Sequence, residues 1–160
     1  MSYVPFEDTA LWKVGMELVK EIYAAIAANP SFSKDYALAN QMRRSAISIP
    51  SNIAEGFERA SNKELIQFLY ISKGSAGELR TQLMLAIELE YMNEADANGL
   101  INKAKSLSKM TQGLIKYLQN SELKGVKFNN VVREPEAEYQ KLPPDAHLIA
   151  AYLLADNNES

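Results

Sequence analysis

Side-chain chemistry needs a base, a nucleophile, a metal cage or a concentration of charge, and this 160-residue chain offers few of them. Its one histidine, His147, falls in the last quarter and reads as a surface residue. There is no cysteine, which excludes a thiolate nucleophile, a zinc ribbon and a disulfide framework. Residues 1–120 hold no histidine, so they lack the base for a Ser-His pair and for an Arg-His ribonuclease site. The Glu-x-x-His pairs of a di-iron bundle are missing for the same reason. No Gly-x-x-x-x-Gly-Lys-Ser/Thr loop is present to cradle a phosphate. Glu55 and Glu58 stand one helical turn apart, but the sequence gives them neither a metal partner nor an apolar pocket to tune them for acid–base work. What remains is cationic: Arg43 and Arg44, then Arg59, Lys63 and Lys73. Such groups hold anions rather than transform them. No catalytic residue, metal site, cofactor or small-molecule substrate is expected.

The cations must be positioned by helices. A first helix is expected from about Thr9 to Ala28, with Asp8 as its cap and Leu11, Gly15, Leu18, Ile22 and Ala25 on its inner face. Asn29-Pro30 ends it, and Pro30 to Lys34 reads as a loop. A second helix comes next, capped by Ser33 or Asp35. Its apolar residues Leu38, Met42, Ala46, Ile49, Ile53 and Phe57 step by three or four through Pro50. A proline inside a helix removes one backbone bond and costs about 3 kcal/mol. Either the helix stops near Ile49 and restarts at Pro50, or one helix runs through with a kink; the unbroken stripe favours one helix. The freed carbonyl of Ala46 would then look to Ser48, Ser51 or Asn52.

Ser61 and Glu64 form a capping box for a third helix, Lys63 to about Met92. Leu65, Phe68, Leu69, Ser72, Ala76, Leu79, Leu83, Ala86 and Ile87 make its core face. A second line, Tyr70, Gly74, Gly77 and Thr81, is mostly small. Each glycine costs a helix about 1 kcal/mol, usually in return for close approach of a neighbour. That line is either buried within the subunit or, as a second packing face, used for self-association, with Trp12 as a further anchor. Asn93 caps a fourth helix, Glu94 to about Gln119. Lys103, Lys105, Lys109 and Lys116 lie mainly off its apolar stripe, as a solvated face or a weak phosphate-contacting strip.

The fold class expected is therefore all-α: an antiparallel up-down-up-down four-helix bundle over residues 1–120. Residues 121–160 form an acidic, proline-containing extension, with a short apolar helix over Ala146 to Leu154. Residues 1–120 carry 13 Lys/Arg and 13 Asp/Glu, so the whole net charge of −3 belongs to the extension. This is not the basic balance of a typical nucleic-acid binder. With no signal-like start, no membrane-length apolar run and no cysteine, a cytoplasmic protein is expected.

The run Gln41-Met42-Arg43-Arg44-Ser45-Ala46-Ile47-Ser48-Ile49-Pro50-Ser51-Asn52-Ile53-Ala54-Glu55-Gly56 strongly resembles the "four helix bundle protein" family. These proteins are encoded by intervening sequences within bacterial 23S rRNA genes and were once called S23 ribosomal proteins. The accessory variability determinants of diversity-generating retroelements belong with them. Phe6-Glu7-Asp8 with Leu11-Trp12, Lys63 to Ile71 with Gly74-Ser75, and Glu78-Leu79-x-Thr81-Gln82-Leu83 add to the match, over roughly residues 4–118. The resemblance implies an antiparallel four-helix bundle, a ring-like homopentamer and no enzymatic activity. In the retroelement branch it implies an accessory that binds RNA or DNA and a reverse transcriptase. This neutral bundle departs from that basic branch, so any affinity should be weaker and more local. Arg43 and Arg44 either pair with acids or touch nucleic acid. The alternative function is a protein-only scaffold that recruits a protein partner through the ring or the tail.

Overall fold

The computed structural model describes residues 5–59 and 61–123, and every regular element among them is helical. A 3-10 turn, Phe6–Asp8, leads into α1 (Ala10–Ala28). The cap is Thr9, not Asp8. Its hydroxyl donates to the Phe6 carbonyl at 2.6 Å and accepts from the Trp12 amide at 3.4 Å, so the turn and the helix share one residue. Asp8 belongs to the 3-10 turn itself.

Pro30–Lys34 is a one-turn helix, α2, rather than a loop. Asn29 accepts from the Ser31 and Phe32 amides at 2.9 and 3.2 Å, and Pro30 supplies a first-turn φ without wasting a donor. Asp35 caps α3 (Tyr36–Glu58), accepting from the Leu38 amide at 3.1 Å. α3 runs through Pro50 without a break, and all six stripe residues from Leu38 to Phe57 are buried. The polar side chains near the proline turn to other carbonyls than that of Ala46. Asn52 donates to the Ser48 carbonyl at 2.7 Å, and Ser72 to that of Ile49 at 3.0 Å.

Ser61 caps α4 (Asn62–Glu88), as its hydroxyl accepts from the Glu64 amide at 3.4 Å. α4 ends short of Met92 because Glu90 takes φ 58°, a left-handed turn, and the Tyr91 amide folds back to the Ala86 carbonyl at 2.9 Å. Asn93 accepts from the Asp96 amide at 2.8 Å at the start of α5 (Glu94–Leu123). Residues 124–160, with His147 and the helix expected over Ala146 to Leu154, lie outside the described residues.

The four long helices form a bundle in which α3 packs on α1 and α4, and α5 on α4 and α1. Contacts pair Gly15 with Pro50 and Tyr23 with Arg43, Ser45 with Glu78 and Gly56 with Leu65, and Lys73 with Gln112 and Tyr70 with Gln119, so residue numbers rise along one helix as they fall along its neighbour. Leu18, Ile22, Met42, Ile49, Ile53, Leu69, Leu79, Leu83 and Leu107 are shut off from solvent in the core. No helix among the described residues is long and apolar enough to cross a membrane.

Candidate functional site

Within the subunit the close approach is at Gly56, and the line through Gly74 and Gly77 is not buried there. A Cβ built on Gly56 would stand 2.9 Å from Leu65 Cδ1 and 3.0 Å from Phe68 Cβ, so α3 and α4 meet there. One built on Gly74 or Gly77 meets nothing within 4 Å. Those two glycines therefore face away from the subunit's own core. Around them α4 exposes Tyr70 (47%), Ile71 (44%), Met84 (47%) and Leu85 (46%). Trp12 sits on α1, half-buried against Phe6 at 5.5 Å between ring centroids, and does not share that face.

The five cations expected to bind nucleic acid are spread over three seams of the bundle. Arg43 donates to Asn40 at 3.2 Å and lies 5.5 Å from the ring of Tyr23 on α1. Arg44 points the other way, into an open groove of about 510 Å³ between α3 and α4, lined also by Gln41, Ser45, Ile47, Ser48 and Glu78. Arg59 pairs with Glu55 at 2.6 Å and covers the Phe68 ring at 5.4 Å. That bond, and then the nearby Glu55 charge, push its already high pKa further up. Lys63 is exposed near Arg59, in the first turn of α4. Lys73 leans to α5 and donates to Gln112. Arg59 and Lys63 flank the α3–α4 turn, and the five cations do not share one face.

The groove's polar network is structural. Ser45 donates to Glu78 at 3.3 Å and accepts from Gln82 at 3.0 Å, while Ser48 and Ser75 share a bond of 2.8 Å. These residues lie in the family-like segments of α3 and α4 and tie the two helices together. None forms a nucleophile–base pair. Among the described residues no group of three His, Cys, Asp or Glu is placed to hold a metal ion.

Comparison with known proteins assigns the fold and its motif together. The model of the 23S rRNA-intervening sequence protein family matches residues 7–113. The chain belongs to that family. A crystal structure of a Bacteroides thetaiotaomicron protein with unknown function, from the S23 ribosomal protein family, is 25% identical with a TM-score of 0.61. The similarity covers 66% of this chain and 98% of that one. No curated protein matches. The match ends at residue 113, before the last turns of α5.

Proposed function

We propose that this protein is a non-catalytic accessory that assembles with copies of itself, as a ring-like homopentamer, and offers the assembly to nucleic acid or to an enzyme acting on it. The outer face of α4 carries the reading. Two helix glycines with open space in front of them, ringed by four large half-exposed apolar side chains, weaken an isolated helix and leave apolar surface wet. A second subunit laid on that face would offset both costs, because the missing side chains let helices approach closely. The resemblance to ring-forming relatives points to the same arrangement.

Light scattering is the test. The protein should be larger than a monomer at micromolar concentration. The double variant Ile71→Glu with Leu85→Glu should be a monomer of unchanged helix content. A wild-type monomer would remove the assembly. The enzyme partner this reading names is a reverse transcriptase, tested by co-expression with any encoded beside this gene. Assembly with no affinity for RNA, DNA or such an enzyme would leave a protein-only scaffold instead.

A further inference from the structure

The cations along α4 and α5 form a strip. Lys105, Lys109, Gln112 and Lys116 step by four, three and four, which puts them on one face of α5. Gln112 accepts from Lys73, and this fixes that face beside the matching flank of α4. Arg80 lies two turns beyond Lys73 on the same flank. At the other end the Tyr70 hydroxyl meets the Gln119 amide at 3.5 Å. The seam thus gathers Lys73, Arg80, Lys105, Lys109 and Lys116, with Tyr70 at its edge. From Lys105 to Lys116 it runs about 16 Å.

Among the described residues, α4 and α5 set no carboxylate against this charge. α5 contains no Asp or Glu between Gly99 and Asn120. Between Leu65 and Ile87, α4 contains only Glu78, which is bonded to Ser45 on the opposite flank. Lys105, Lys109 and Lys116 are exposed and have no hydrogen-bond or ion-pair partner among the described residues. The Nε of Arg80 is buried with no acceptor. Ion pairs do form at other places on the surface, Arg59 with Glu55 and Lys103 with Glu21. A neutral bundle that leaves one seam uncompensated has a local basic face despite its overall balance.

We propose that the α4–α5 seam binds the phosphate backbone of single-stranded nucleic acid. This rests on the nucleic-acid reading above and moves the contact from the α3 arginines to α5. Lysines on a straight helix face act as point charges that track a backbone without reading bases. An anionic membrane fits less well. A membrane-lying helix inserts its apolar face, whereas Ile101, Ala104, Leu107, Leu114, Ile115 and Leu118 of α5 are buried in the bundle.

The test is fluorescence anisotropy of the full chain with labelled oligouridylate and oligothymidylate, at about 50 to 200 mM salt. Engaging four or five phosphates predicts a log–log salt slope near −3, so affinity falls roughly a hundredfold across that range. Lys105→Glu with Lys109→Glu should weaken binding at least about tenfold and flatten the slope by about 1.4. Lys20→Glu with Lys34→Glu changes net charge equally, off the seam, and should have little effect. Circular dichroism confirms that each variant keeps its helices. Tighter binding of one oligonucleotide identifies RNA or DNA as the source of the backbone, and equal binding supports the seam as well. Loss on Arg43→Ala with Arg44→Ala but not on the α5 change would overturn the seam and keep the nucleic-acid reading. Capture by vesicles of anionic lipid with no oligonucleotide binding would overturn both, and so would no binding to either oligonucleotide at low salt.

Discussion

Gly15 of α1 lies against the ring of Pro50 of α3: a Cβ placed on the glycine would stand 3.4 Å from the proline's own Cβ. The residue that breaks helix rules in α3 is thus seated on the residue that breaks them in α1. Pro50 is buried, and its missing donor lies in a helix that two polar side chains brace at neighbouring carbonyls. The pair holds α1 close to α3.

That contact predicts a graded series. Gly15→Ala adds one carbon at ordinary contact distance and gains helix propensity, so stability should stay within about 1 kcal/mol of wild type. Gly15→Val pushes branched carbons into the Pro50 ring and should cost about 1–3 kcal/mol, the usual range for overpacking. Urea unfolding at one fixed protein concentration measures both, since assembly would make the midpoint concentration-dependent.

Three other glycines predict opposite signs for one substitution. Gly56→Ala meets Phe68 Cβ at 3.0 Å and Leu65 Cα at 3.4 Å, next to the α4 backbone, and should cost about 1–3 kcal/mol. Gly99→Ala meets nothing within 4 Å and should gain about 0.5–1 kcal/mol. Gly74→Ala is equally open within the subunit, so it should stabilise the dissociated chain by a similar amount while weakening self-association. Unfolding of diluted protein, read beside light scattering, separates the two effects.

These glycines mark where the sequence stops being legible. The apolar stripes were readable because burial follows a 3.6 period: on α5, Ala97, Leu100, Ile101, Ala104, Leu107, Thr111, Leu114, Ile115 and Leu118 recur at spacings of one, three and four, and all are buried. A helix through Pro50 was readable for the same reason. Which side of α4 its glycines face was not, since a missing side chain carries no pattern of its own. Gly56 has the sequence of a weak helix end and is the tightest approach. The short α2 was hidden because Pro30 reads as a break until Asn29 is seen to cap the turn after it. The α4–α5 seam was half visible. The lysine spacing of α5 lies in the sequence, but its meeting with Lys73 and Arg80 needs the register that the Lys73–Gln112 bond sets.

Asn29 joins two jobs that can be separated. Its Oδ1 caps α2, and its Nδ2 donates to the Tyr91 carbonyl at 3.0 Å, tying the α1–α2 junction to the turn between α4 and α5. Asn29→Asp keeps an N-cap and loses the donor; Asn29→Ala loses both. The aspartate should cost about 1 kcal/mol and the alanine about 2 kcal/mol by urea unfolding, with hydrogen exchange of the α2 amides accelerated only in the alanine variant.

Tyr91 closes the same corner and sets a pH dependence. Its ring stacks on Phe32 at 5.0 Å between centroids, and its hydroxyl donates to Asp35 at 3.2 Å. Burial first, and then the bond to Asp35, raise the phenol's pKa above its ordinary value of 10.0. The folded state therefore holds this proton more tightly than the unfolded chain. The stabilisation is fully present below the unfolded pKa and is lost as pH rises through the folded one. This linkage should leave the thermal midpoint independent of pH near neutrality and make it fall as the solution passes about pH 10. Tyr91→Phe keeps the stack on Phe32 but removes both the hydroxyl and its proton. Its midpoint should be lower than wild type at pH 7, and the gap should narrow above about pH 10. A gap that stays constant from neutral to alkaline pH would show that the hydroxyl carries no such linkage.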